Sequence, residues 1–312
     1  MKDIFGNEHH VLKRNMRDYF IVPPFSVLNS MDVDWLKRKR RWNDLINDVG
    51  DARLGALIAK NGKTESEVNL KVQKLNNGVS ILDAVLVELM LKWFTEENYK
   101  TFDPFAGDTV FGFVSGYLNR PFEGIELRPE QVKFNQIQCD RENLECKYIC
   151  DTSENMDKYI KAESKDFMFT CPPYADLEKY SDLKDDLSNM SHKDFFKLLS
   201  KILGNTYKKL KNNRFACVVV GEVRDKNGIY ISLVPKTIKY MLKAGFQYYN
   251  ELILVNSVGT LPLRATRSMN AGRKVGKRHQ NVLVFYKGDT KQIKNNFSEI
   301  MPKNQFYESK NL

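Results

Sequence analysis

The residues best suited to chemistry form a corner, Cys171-Pro172-Pro173-Tyr174, directly after the apolar run Phe167-Met168-Phe169-Thr170. Two consecutive prolines fix φ and remove two N–H donors, so the corner presents rigid carbonyl acceptors. The aromatic ring that follows offers a face on which an extruded base can stack. Together these are what methylation of an exocyclic amine needs. Carbonyls that accept from an NH2 group draw its lone pair out of conjugation and aim it at an electrophilic methyl. Placement then supplies most of the rate, with no covalent intermediate and no strong base.

The second constellation is Thr101-Phe102-Asp103-Pro104-Phe105-Ala106-Gly107-Asp108-Thr109, between an apolar run and a helical one. A small-residue turn there lets the backbone approach a ligand at the carboxyl edge of a sheet. Glu126 ends the next apolar run, where a carboxylate can bind both hydroxyls of a ribose, and Asp151 ends the one after. The phosphate-cradle spacings G-x-G-x-x-G and G-x-x-x-x-G-K-S/T are absent, and Asp108 sits where a pyrophosphate would want only donors. A cationic nucleoside cofactor without phosphate fits this crevice, and S-adenosylmethionine is the obvious one. The bland alternative is an α/β domain whose strand ends are acidic by accident.

Both constellations need a parallel sheet to position them. From Gly78 the chain alternates: helix 81–94, strand 99–102, helix 109–118, strand 122–127, helix 128–143, strand 147–150 and strand 167–170. A helix at 193–210, a strong strand at 215–220, a helix at 234–244 and two strands at 246–255 and 281–286 follow, the last two expected as antiparallel neighbours. Residues 1–78 read as helical and irregular. Trp35, Leu36, Trp42, Leu45, Ile46, Val49, Leu54, Leu57 and Ile58 carry helical spacing, and Lys37-Arg38-Lys39-Arg40-Arg41 runs between the tryptophans. The expected fold is α/β, a doubly wound sheet of about seven strands with a helical N-terminal extension.

With 312 residues, 42% hydrophobic, the chain can bury a sizeable core. No apolar run is long enough to span a membrane, and the N-terminus lacks the apolar stretch of a secretory signal. Five cysteines without a C-x-x-C pair suggest neither a disulfide framework nor zinc, so a reducing cytoplasm is expected and no metal. The net charge of +10 favours a polyanionic partner, with a lysine-rich coding style as the competing explanation. Val258 to Arg278 holds Arg264, Arg267, Arg273, Lys274, Lys277 and Arg278 with no acidic residue, and is expected as a DNA-contacting loop that orders on binding. Lys37, Arg38 and Arg41 are the other candidate DNA contacts. The acidic run Asp176, Glu178, Asp182, Asp185 and Asp186 reads as a solvated turn rather than a lid, and His192 as a helix cap.

The pair D-P-F-A-G-D-T and T-C-P-P-Y resembles the cofactor and catalytic motifs of DNA amino-methyltransferases, the N4-cytosine and N6-adenine enzymes. A longer set is similar to phage-type DNA methylases: Pro23 to Leu28, Leu127 to Gln131, Cys171 to Glu178, Phe215 to Asp225 and Gly272 to Val282, together spanning roughly residues 20 to 288. The resemblance implies a Rossmann-like class I methyltransferase sheet, S-adenosylmethionine as cofactor, duplex DNA as substrate and an association with restriction–modification. It implies that Asp103, Phe105, Gly107 and Thr109 line the methionine and ribose part of the cofactor. Glu126 would bind the ribose diol, Asp151 would lie near the adenine, and the helix of Ile81 and Asp83 would pack over the cofactor. Thr170, Cys171, Pro172, Pro173 and Tyr174 would form the acceptor-base pocket.

One departure stands out. The family usually has Ser, Asp or Asn before the double proline, whereas Cys171 offers only a weak sulfur acceptor, leaving Thr170 or backbone carbonyls to receive the amine. Its size, close to that of serine, favours N4-cytosine over N6-adenine. Carbon-5 cytosine chemistry is disfavoured, because its cysteine follows a proline and this one precedes two. An RNA amino-methyltransferase and a non-catalytic DNA-binding relative are the alternatives. The expected layout is an N-terminal extension 1–78 with a DNA contact, a methyltransferase domain 79–288 with the basic loop 258–278, and a flexible tail 289–312. No large recognition domain follows the corner. Recognition then falls to the N-terminal region, the basic loop or a second subunit, either a homodimer partner or an accessory chain.

Overall fold

The computed structural model describes residues 15–46, 82–175, 183 and 185–301. The sheet is built from β1 (Val27–Asn29), β2 (Thr101–Asp103), β3 (Phe122–Glu126), β4 (Cys146–Cys150), β5 (Lys165–Thr170), β6 (Leu210–Val220), β7 (Gln247–Val255) and β8 (His279–Lys287). Its order is β1-β7-β8-β6-β5-β2-β3-β4. Every pairing is parallel except those of β8, which runs antiparallel to both β6 and β7. The two final strands are the antiparallel neighbours their sequence led us to expect.

Side-chain alternation divides the interior between the two faces of the sheet. Phe167, Phe169, Phe215, Cys217 and Val219 face one core, which is covered by α2 (Val33–Ile46), α3 (Ala84–Phe94), α4 (Val110–Tyr117) and α5 (Pro129–Arg141). Met168, Ala216, Val218 and Val220 face the other, covered by α6 (His192–Lys209) and α7 (Leu233–Ala244). Nearly every residue of α3 is buried, the pattern of a helix enclosed on all sides. In α6, by contrast, Phe195, Phe196, Leu199, Ile202 and Leu203 form a single buried stripe. Ser191, not His192, supplies its cap, its hydroxyl accepting from the Asp194 amide at 3.2 Å.

Two expectations change at the chain's ends. The N-terminal region is not only helical: β1 pairs in parallel with β7 and adds an eighth strand to the expected seven. Leu28 is its one buried residue, and a three-residue strand with so little apolar pattern is invisible to periodicity. Trp35 and Trp42 of α2 are buried in the first core, so this segment is continuous with the sheet domain. The first part of the tail is docked rather than loose. The Tyr99 hydroxyl donates to the Asn296 carbonyl at 2.8 Å, and the Phe297 ring lies 5.3 Å from that of Phe215. Residues 47–81 and 302–312, with the apolar spacing expected at Val49 to Ile58 and the position of Ile81, lie outside the described residues.

Candidate active site

Strand order reverses between β2 and β5, and their carboxyl ends open at this switch point. A cleft of about 720 Å³ lies there. It brings together Asp83, Asp103, Phe105, Gly107, Glu126 and Asp151 with Cys171, Pro172, Pro173 and Tyr174, residues scattered over some ninety positions of chain. Thr109 and Thr170, expected in the site, are not in its lining. Both are fully buried, and each turns its hydroxyl inward, Thr109 to Asn135 Oδ1 at 2.7 Å and Thr170 to Asp103 Oδ1 at 2.6 Å.

The glycine turn is held from three sides. Gly107 has φ +51°, a left-handed conformation that suits glycine. Its N–H donates to Glu126 Oε2 at 3.0 Å, and its carbonyl accepts from Asn135 Nδ2 at 3.0 Å. Asp108 fixes the approach to α3 by accepting from the Leu82 amide at 2.9 Å and the start of α4 by accepting from the Val110 amide at 2.9 Å. Asn135 also accepts from Gln131 Nε2 at 2.7 Å, and Gln131 in turn from Arg128 Nη2 at 3.2 Å. Sequence reasoning missed this buried network. The signal was present: Arg128, Gln131 and Asn135 are spaced three and four apart, a polar stripe on the inner face of α5, where apolar residues would be usual.

Glu126 accepts from Arg128 Nε at 2.9 Å as well as from Gly107, and burial raises its pKa against the opposing pull of Arg128. Arg128 Nη1 is buried without a hydrogen-bond partner among the described residues, an orphaned donor in the cleft wall. A nucleoside, rich in ring-nitrogen and hydroxyl acceptors, fits beside it. Asp151 is held by Tyr159 at 2.5 Å and Asn155 at 2.9 Å, bonds that lower its pKa. Asp83 also lines the cleft, but its carboxylate is occupied, capping α3 and accepting from Trp35 Nε1 at 3.2 Å and Lys39 Nζ at 2.9 Å.

Asp103 is wholly buried, which pushes its pKa up to about 7. The folded chain therefore holds this proton more tightly than the unfolded chain, whose ordinary value is 3.8. Stability is fullest below that window and falls as pH rises from about 4 through 7. Asp103→Asn is expected to flatten this decline, as measured by chemical denaturation at pH 4.5 and pH 7.5.

At the corner, Tyr174 accepts from Gln280 Nε2 at 2.8 Å through its hydroxyl, which also lies 3.6 Å from Cys171 Sγ. Gln280 comes from β8, and nothing in its local sequence marks it as the clamp on this ring. The corner's continuation, Asp176, Glu178 and Asp182, lies outside the described residues, while Asp186 caps a short turn by accepting from Ser188 N at 2.8 Å.

Because β7 runs parallel to the central strands, the 256–278 connection sits at the carboxyl edge, beside the cleft. It is not a bare loop. Residues Leu261–Gly272 form a helix, α8, with Pro262 in its first turn and Arg273 in a left-handed cap. None of its residues is buried. Arg264, Arg267, Arg273, Lys274 and Arg278 are exposed there, whereas Lys277 turns inward. On α2, Lys37 and Arg41 are exposed, but Arg38 is not a free cation: its guanidinium pairs with Glu88, a buried carboxylate in the middle of α3 that also accepts from Trp42 Nε1 at 2.9 Å. A carboxylate buried at that depth needs a partner, and Arg38 supplies it. Among the described residues no cluster could hold a metal ion, and no helix is long and apolar enough to cross a membrane.

Residues 165–311, just under half of the chain, match the profile of a family described as DNA methylase, the N6/N4 methyltransferases. The match contains the Cys171–Tyr174 corner and the basic connection but not the glycine turn or Glu126. No curated protein matches the chain. Among solved structures, TrmN from Thermus thermophilus is similar at 14% identity and TM-score 0.47, covering 72% of this chain and 54% of its own, so this chain spans about half of it. A methyltransferase from Pyrococcus furiosus is similar at 14% identity and TM-score 0.44, covering 71% of this chain and 96% of its own. At these scores neither likeness carries an argument, and the architecture stands on its own strand order. What the match shows is that residues 165–311 are similar to the N6/N4 DNA methylases, a family of methyltransferases.

Proposed function

We propose that the protein transfers a methyl group to the exocyclic amine of a base flipped out of duplex DNA, N4 of cytosine in preference to N6 of adenine. The observation that carries this reading is the meeting of the Cys171-Pro172-Pro173-Tyr174 corner and the Gly107–Glu126 turn in one cleft at the switch point. S-adenosylmethionine, when bound, supplies an electrophilic methyl on a sulfonium. Glu126 receives the ribose hydroxyls, Asp103 and the 105–107 backbone enclose the methionine end, and Asp151 stands by the adenine. The Thr170 hydroxyl is committed to Asp103, so backbone carbonyls of the corner accept from the target amine. Tyr174, steadied by Gln280, stacks on the base. The exposed cations Arg264, Arg267, Arg273, Lys274 and Arg278, with Lys37 and Arg41, hold phosphates and set the register of the duplex.

In this reading residues 79–288 are the methyltransferase domain, 1–78 and 258–278 contact DNA, 289–312 form the tail, and the protein works in the cytoplasm. A second copy or an accessory chain completes sequence recognition. The expected result is labelled N4-methylcytosine, read by nucleoside mass spectrometry after mixed-sequence duplex DNA is incubated with the protein and methyl-labelled S-adenosylmethionine. Label on structured RNA alone would replace DNA with RNA as the substrate. Cofactor binding with no label on either would point to a missing subunit, and no cofactor binding to a non-catalytic relative.

A further inference from the structure

Lys277 is the one cation of the basic connection whose head group is enclosed. Its Nζ is buried and has no hydrogen-bond partner among the described residues. It lies beside the Tyr174 ring, just outside the side chains that line the cleft. A Cβ on Gly221, at the end of β6, would stand 3.3 Å from Lys277 Nζ, 3.7 Å from Tyr174 Cε2 and 3.9 Å from Gln280 Cγ. The ammonium, the stacking ring and the glutamine that clamps the ring therefore surround one point above Gly221, where a Cβ would press on the ammonium and touch the other two. Glu222, the neighbouring carboxylate, caps α7 by accepting from the Leu233 and Val234 amides at 3.2 and 3.0 Å; it attracts the Lys277 ammonium without accepting a hydrogen bond from it. An enclosed ammonium left without an acceptor is costly, and burial lowers its pKa. Such a group is retained where a ligand brings the acceptor.

Resting on the proposed function, we infer that Lys277 is a specificity-determining residue that donates to the ring carbonyl of the target cytosine. The two candidate bases present the same amine and the same neighbouring ring nitrogen. They differ one atom further along that edge, where cytosine has a carbonyl oxygen and adenine a C–H. A donor beside the stacking ring that reaches the bound base is satisfied by cytosine and stranded by adenine, and a stranded buried donor is what lets a site reject a near-isostere. A backbone phosphate is the other acceptor that DNA offers. It belongs at the solvent-facing mouth with the exposed arginines, whereas Lys277 Nζ is enclosed beside the ring.

The test uses the full-length protein and Lys277→Met on mixed-sequence duplex DNA. The ratio of N4-methylcytosine to N6-methyladenine is expected to fall about 10- to 100-fold, the worth of one charge-assisted hydrogen bond. Lys277→Arg, which keeps a donor, should restore part of it. The salt dependence of DNA binding should not change, and the melting temperature of the free protein should rise as a buried unpaired charge is removed. An unchanged ratio on a wild type that methylates cytosine overturns this inference alone. So does a salt slope reduced by about 0.9, the mark of a lost phosphate contact, or a lowered melting temperature, the mark of a structural lysine. A wild type that labels neither base overturns the function and this inference together.

Discussion

Glu126→Gln will lower affinity for S-adenosylmethionine by about 10²- to 10³-fold, measured by isothermal titration calorimetry, while leaving the backbone course of the cleft intact. The carboxylate already accepts from the Gly107 amide and from the Arg128 amide and guanidinium. A carboxylate has roughly four acceptor sites, so one remains for a ligand, and a shift of either protein donor frees a second. Glutamine turns half of these acceptors into donors that face N–H groups. Each lost charge-assisted bond to a ribose hydroxyl is worth about 1.5–3 kcal/mol. The variant also strips the charge partner from Arg128, which already has one nitrogen unsatisfied among the described residues, so thermal stability should fall as well. Affinity that survives the substitution would remove Glu126 from the cofactor site and leave it as the support of the glycine turn.

Arg38→Ala is expected to destabilise the fold by about 3–5 kcal/mol, because it leaves the Glu88 carboxylate buried with only the Trp42 indole as its remaining bonded partner among those described here. In a chain of this size the melting temperature should drop by on the order of 10 °C. The double variant Arg38→Met with Glu88→Leu should recover most of the loss, since a buried ion pair can give way to apolar residues of similar volume. Lys37→Ala offers the contrast. Exposed on the same helix, it should change stability by no more than about 0.5 kcal/mol but reduce the salt slope of DNA binding by about 0.9. If Arg38→Ala weakened DNA binding at unchanged stability, the ion pair with Glu88 would not be its role.

The five-cation run shows why charge is hard to assign from sequence. Lys37, Arg40 and Arg41 face solvent, while Arg38 and Lys39 answer the carboxylates of Glu88 and Asp83 on α3. Those partners lie more than forty positions away, and no local pattern announces them. The same limit applies to Asp83, which lines the cleft but is spoken for by Trp35 and Lys39. It also applies to Lys277, one of six cations in the 258–278 stretch and the only one of those six turned inward.

By itself the sequence determined the order of strands and helices from β2 onward, the antiparallel pairing of the last two strands, and the two short constellations at strand ends. These are properties of adjacent residues: alternation sets the buried face, prolines and glycine set φ, and a carboxylate at a strand's end stays there in any parallel sheet. Tertiary structure alone decided that β1 joins the edge of the sheet, that Phe297 packs on Phe215 and Tyr99, and that Thr109 and Thr170 turn away from the cleft. It also decided which cations are exposed and which turn inward. Those outcomes depend on which buried group most needs a partner across the fold, and that need arises only when distant segments exclude water from one another.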